Sequence, residues 1–167
     1  MSEQIKGFEP IVDEESEIII LGSMPGIQSL QAGEYYAHKQ NAFWKILNKI
    51  FPQHSLNNYE EKIAMLRLNN IALWDVLKSC ERQGSLDYDI ILKTMQVNDF
   101  YELFNKYPRI QKVCFNGAFA EKSYTRFVLK NLKSSISYVR LPSTSPAHAS
   151  LSFDEKLMLW KKELKSK

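Results

Sequence analysis

The sequence predicts an α/β fold, a three-layer α/β/α sandwich with a central, mainly parallel four-stranded sheet. Two observations carry that expectation. Apolar runs bounded by turn residues recur four times, as EIIILG (17–22), NIALWDVL (70–77), QKVCFNG (111–117) and ISYVRLP (136–142), and near-continuous apolar runs of this length suit strands buried on both faces of a parallel sheet. The segments between them have helical periodicity, and strand–helix alternation implies right-handed crossovers that put helices on both faces. With 167 residues and no repeat, low-complexity tract or linker, residues 1–167 read as a single domain.

Taken in order, the first strand runs into a loop, GSMPG, and then a helix in which Phe43, Leu47 and Ile50 share one face. The second strand is followed by the polar stretch LKSCERQGSLD, and residues 89–106 are long enough for several helical turns. The third strand ends at Asn116 and leads into a helix over 117–132, with Phe119, Phe127 and Val128 near one face. After the fourth strand comes LPSTSPAHAS and the clearest helix of all. There Ser152 and Glu155 have capping-box spacing, and Phe153, Leu157, Trp160 and Leu164 follow on one stripe. Lys161, Lys162, Lys165 and Lys167 fall on or beyond its solvated side.

The chain is 44% hydrophobic and 25% charged, ordinary for a soluble fold and too apolar for disorder. Its longest apolar run, Ile18 to Leu21, is far too short to span a bilayer, and MSEQIKGFEP lacks the apolar core of a signal peptide. A cytoplasmic protein, nucleoid-associated if it binds DNA, is the expectation. A net charge of +3 permits nucleic-acid binding without announcing it. Cys80 and Cys114 form no CxxC pair and read as reduced and partly buried. His38 and His148 have no third histidine or close carboxylate at ligand spacing, so no metal is expected.

In a parallel sheet, ligands bind at the carboxyl ends of the strands. The loops to inspect are therefore those after Leu21, Val76, Phe115 and Leu141. GSMPG (Gly22, Ser23, Met24, Pro25, Gly26) lets the backbone approach a ligand, but it fits neither the P-loop nor the dinucleotide fingerprint; a tight turn is the plain alternative. Ser23 and His148 could pair as nucleophile and base of a serine esterase, although GSMPG is not the GxSxG elbow. Asn41 can be an N-cap of the following helix, and so can Asn116. An asparagine amide also offers adjacent donors and acceptor suited to the edge of a nucleobase. Ser143, Thr144, Ser145, Pro146, Ala147 and His148 form a stiff loop whose hydroxyls and N–H groups could hold phosphates and whose tip could wedge into a base stack.

Together, LGSMPGIQSLQAGEYYAHKQNAFWKIL, ALWDVLKSCERQGSLD, FNG and LPSTSPAHA resemble the uracil-DNA glycosylase superfamily, specifically its hypoxanthine (deoxyinosine) DNA glycosylase branch, from about Lys6 to Leu164. Related mismatch-specific uracil glycosylases carry GINPG, ten residues, then AHPxN; here GSMPG and AHKQN are also ten residues apart. Met24 stands where those relatives place a water-positioning asparagine. In the hypoxanthine branch that task falls to the asparagine closing the second segment, Asn41. Lys39 replaces the usual proline, and Leu141 stands where many members carry a histidine.

The resemblance implies a monofunctional glycosylase of DNA base-excision repair, without cofactor and working as a monomer. It would flip out hypoxanthine, or uracil or xanthine, and hydrolyse the N-glycosidic bond to leave an abasic site. Asn41 would be catalytic. Gly22, Ser23, Met24, Pro25, Gly26, Tyr36 and Asn116 would bind the base, with Tyr36 stacking, Tyr35 as its substitute and Asn116 reading the edge. Residues 143–148 would grip the DNA, and whether Asp75 takes part stays open. A mismatch-specific uracil/thymine glycosylase and a catalytically silent DNA-binding module are the alternatives beside the esterase.

Overall fold

The structure, a computed structural model, describes residues 3–132 and 135–165; Lys167 lies outside the described residues. All four expected strands form, as β2 (Ile18–Gly22), β3 (Ile71–Asp75), β6 (Lys112–Asn116) and β7 (Ser137–Leu141), parallel and in the order β3-β2-β6-β7. Ile19, Ile20 and Leu21 are fully buried, each stabilising the fold by about 1.5–3 kcal/mol relative to an exposed side chain. The register aligns the strand ends: Gly22 lies opposite Asp75, and Asn116 opposite Leu141. One edge of the sheet thus presents Gly22, Asp75 and Asn116 together.

Helices on both faces complete the three layers. α2 (Phe43–Ile50) buries Phe43, Trp44, Ile46, Leu47 and Ile50, a wider stripe than the three positions read from the sequence. It packs on α6 (Phe153–Leu164), with Phe43 and Trp160 edge to face at 5.9 Å. α4 (Phe100–Lys106) and α5 (Ala118–Phe127) meet through Phe100 and Tyr124, which also touches Phe115 of β6. The short α1 (Ile27–Ala32) and α3 (Tyr59–Leu68) fill the connection from β2 to β3.

α6 carries the expected capping box, Glu155 N–H donating to Ser152 Oγ while Ser152 N–H donates to Glu155 Oε2. Trp160 and Leu164 are buried, whereas Phe153 remains 37% exposed. Lys156 is buried instead, its Nζ donating to the His148 carbonyl at 2.6 Å, so α6 anchors the end of the 143–148 loop. Cys80 and Cys114 are free and buried.

Three expectations need correction. Residues 89–106 are not one helix: 3-10 turns at Asp87–Asp89 and Leu92–Thr94 and strand β5 (Gln96–Val97) precede α4, which starts afresh at the Asp99 cap. Long-range bonds override the local period here. Ile91 N–H donates to Glu81 O, and Asn98 N–H donates to Val76 O. The helix expected over 117–132 stops at Phe127, with a 3-10 turn at Leu129–Asn131 after it. The polar stretch after β3 is half strand: β4 (Leu77–Glu81) pairs antiparallel with β5 and with β1 (Gln4–Lys6) in a second, three-stranded sheet. Its strands β1 and β5, of three and two residues, are too short to be read from periodicity.

Candidate active site

A cavity of about 500 Å³ opens at the carboxyl edge of the parallel sheet, within the range of small-molecule sites. The 22–26 loop forms one wall, with Tyr36, His38 and Asn41 beside it. Asp75 and Asn116 come from the strand ends. Residues 85–88 and 143–148 supply the remaining walls.

The 22–26 loop is held by its carbonyls. Gly22 O and Ser23 O accept from Val76 and Leu77 N–H, and Pro25 O accepts from Arg82 Nη2 at 2.5 Å. The N–H groups of Ser23, Met24 and Gly26 bond to nothing among the described residues, so a lining segment carries three unspent donors. Gly22 is required by crowding: a Cβ there would stand 2.5 Å from Asp75 Oδ1 and 2.7 Å from Tyr36 Oη.

Tyr36 has φ +54°, a left-handed backbone uncommon for an aromatic residue, and such conformations cluster at functional sites. Its ring stacks on Phe43 at 4.0 Å between centroids. Tyr35 does not share that role. It is buried, its hydroxyl donates to Glu9 O and its carbonyl accepts from Trp44 Nε1, making it a strut.

Asn41 is not the N-cap of α2; Ala42 is. Its side chain is nonetheless fixed, Oδ1 accepting the Phe43 N–H at 3.0 Å, while Nδ2 bonds to no described residue. Ala42 N–H donates to Thr144 O at 3.0 Å, joining the segment after Ala37 to the 143–148 loop.

Asn116 is likewise no cap, since Gly117 at φ +97° starts α5; a Cβ on Gly117 would press on Ser143 Cβ at 3.1 Å. The Asn116 amide is instead engaged inside the site. Oδ1 accepts Thr144 N–H, and Nδ2 donates to Thr144 Oγ1 and to Tyr36 Oη. Both amide hydrogens are therefore spent, which limits Asn116 to offering a second lone pair. Thr144 is 1% exposed and serves as the loop's internal brace rather than a direct grip on DNA. Pro146 and Ala147 form the exposed tip.

Ser23 and His148 do not pair. Ser23 Oγ donates to Asp87 Oδ1 at 2.5 Å, and His148 Nε2 lies 3.4 Å from Ser150 Oγ. A hydroxyl bound to a carboxylate and remote from the imidazole's bonds is no triad, and the esterase arrangement is absent among the described residues.

The family model of the uracil DNA glycosylase superfamily matches residues 9–164. The chain belongs to that superfamily. It is 40% identical over 113 residues to the hypoxanthine DNA glycosylase of Methanosarcina barkeri, covering 67% of this chain and 70% of the relative. The Methanosarcina acetivorans protein of the same name is 37% identical over the same lengths. A solution NMR structure of a candidate uracil DNA glycosylase from Methanosarcina acetivorans superposes with a TM-score of 0.77 at 31% identity, covering 98% of this chain and 99% of that one.

Within this superfamily fold, sequence reasoning marked the loop after Val76 for inspection but singled out none of residues 85–88, and it left Asp75 undecided. Asp75 is 4% exposed, and burial, reinforced by Asp87 and opposed by Arg82, pushes its carboxyl up to about 7. Burial raises Asp87 as well, against the Ser23 hydrogen bond and Arg82. Arg82 is buried with Nη1 unpartnered among the described residues. The sequence signal was present: Asp75 interrupts the apolar run 70–77, and Arg82 and Asp87 follow it in the next polar stretch.

Proposed function

We propose that this protein is a monofunctional DNA glycosylase that removes deaminated bases, hypoxanthine foremost, by hydrolysing the bond to deoxyribose and leaving an abasic site. The observation that carries the reading is Asn41: it lines the cavity with its amide fixed by the Phe43 N–H, in a chain whose Met24 cannot position water and whose relatives bear the hypoxanthine glycosylase name.

The damaged nucleotide must leave the duplex first, at a cost of a few kcal/mol that is smaller for a mispaired base. The exposed Pro146–Ala147 tip, anchored by Thr144 and Lys156, fills the vacated space. The extruded base lies along Tyr36, whose ring is backed by Phe43; base–aromatic stacking is worth about 1–3 kcal/mol. Bond cleavage builds positive charge on the sugar and negative charge on the base. The unspent N–H groups of Ser23, Met24 and Gly26 favour the departing anion. Asn41 orients the attacking water, and because an amide does not titrate usefully, it contributes by position rather than as a base.

A panel of duplexes carrying one inosine, uracil or xanthine, incubated with the protein and heated in alkali, tests this reading. Strand scission at inosine supports it. Scission at uracil alone points to the mismatch-specific activity, and intact strands throughout point to a silent binding module.

A further inference from the structure

Asp75 is a polar group of the cavity to which the hydrolysis just described gives no task. It ends β3 directly opposite Gly22 and lines the cavity. Its Oδ1 packs against Gly22, where no Cβ could stand. Its Oδ2 is buried without a hydrogen-bond partner among the described residues, and native folds rarely leave such an atom unpaired without a reason. Asn98 Nδ2 donates to the Asp75 carbonyl at 2.8 Å and fixes the backbone, so the orphaned oxygen is held in place.

Asn116 cannot do all the reading of a base edge, because both of its amide hydrogens are committed to Tyr36 and Thr144. A second edge-reading group would complete that reading, and Asp75 is a carboxyl of the same cavity with no hydrogen bond to either oxygen among the described residues. We propose that the Asp75 carboxyl, through Oδ1, which lies beside Gly22, binds the ring-nitrogen edge of the flipped base, accepting from a ring N–H when ionised and donating to a bare ring nitrogen when protonated. The charge on this carboxyl then sets which bases the pocket admits. Hypoxanthine, uracil and xanthine present a ring N–H and suit the carboxylate; adenine presents a bare N1 and is refused by it. The proposal rests on the glycosylase reading above.

The titration falls in a useful range. Burial raises the Asp75 carboxyl to about 7, Asp87 adding to the rise and Arg82 opposing it. Tyr35 and Tyr36 also feel its charge, and burial holds both phenols well above their ordinary range, so they stay neutral. From pH 6 to pH 8, Asp75 passes from mostly donor to mostly acceptor.

The test is a ratio. Single-turnover base release is timed from two otherwise identical duplexes, one with 2′-deoxyinosine and one with 2′-deoxynebularine, whose purine carries a bare N1 and no 6-substituent. Where nebularine release is too slow to time, affinities for the 2′-fluoroarabino analogues replace rates. The inosine-to-nebularine ratio should rise about tenfold or more from pH 6 to pH 8, the scale of one hydrogen bond to a charged group. Taking the ratio cancels pH effects shared by both substrates. In Asp75→Asn, which cannot ionise, the ratio should be flat. A flat wild-type ratio, or an unchanged slope in Asp75→Asn, overturns the role of Asp75 while leaving the glycosylase intact. Failure to release hypoxanthine from any duplex overturns both.

Discussion

Asn116 grips Thr144 from both sides, its Oδ1 accepting the Thr144 N–H and its Nδ2 donating to Thr144 Oγ1, each at 2.9 Å. The pair welds the end of β6 to the loop after β7, so the two motifs form one wall. Thr144→Val keeps the shape but removes the hydroxyl acceptor, leaving a buried amide hydrogen unpaired. We expect a stability loss of about 1–3 kcal/mol, measured by urea unfolding, with slower base release from a loosened loop. Unchanged stability would show that the pair contributes nothing.

Asn41→Ala removes the side chain that accepts the Phe43 N–H, but Ala42 remains the cap and the backbone link to Thr144 persists. The fold and duplex affinity should survive. Base release should fall about 100-fold or more, the scale of a misplaced reactant, read in single turnover. A rate within a few-fold of wild type removes Asn41 from the mechanism.

Asp75 also gives stability a pH dependence of defined sign. Its carboxyl ionises near 3.8 in the unfolded chain and at about 7 in the fold. Well below pH 3.8 both states hold the proton and there is no penalty; as pH climbs towards 7 the unfolded chain ionises first and the fold loses relative stability. Asp75→Asn escapes that loss. The variant should therefore be the more stable protein at pH 8, by an amount on the order of a few kcal/mol, with the gap closing at pH 4. Denaturant melts at the two pH values measure it, and a gap independent of pH would contradict the account.

Ser23 donates to half-buried Asp87 instead of to a histidine. A fluorophosphonate probe should consequently leave Ser23 unlabelled, as read by intact mass. Ser23→Ala should cost about 1–3 kcal/mol of stability by stripping Asp87 of its hydrogen bond. Stoichiometric labelling at Ser23 would revive the esterase.

The parallel sheet was legible because burial on both faces leaves continuous apolar runs such as Ile18 to Leu21, and α6 because Ser152 and Glu155 mark its start locally. The second sheet was not, because β1 and β5 span three and two residues, below any period. In the site, Asn41, Tyr36 and the 22–26 loop could be singled out by motif and spacing. The engagement of Asn116 by Thr144 could not, since the partners are 28 residues apart and meet only through strand register. Asp75 looked like any carboxylate ending a strand; its burial and its orphaned oxygen exist only once β2 and β3 are paired.

Hydrolytic release of hypoxanthine, with Asn41 placing the water, is the reaction proposed for this cavity. Its most direct measurement is chromatographic detection of free hypoxanthine after incubating wild type and Asn41→Ala with an inosine-containing duplex under single-turnover conditions. Stoichiometric free base is expected from the wild type and at most a trace, over the same time, from the variant. No free base from the wild type, or equal release from both, would contradict it.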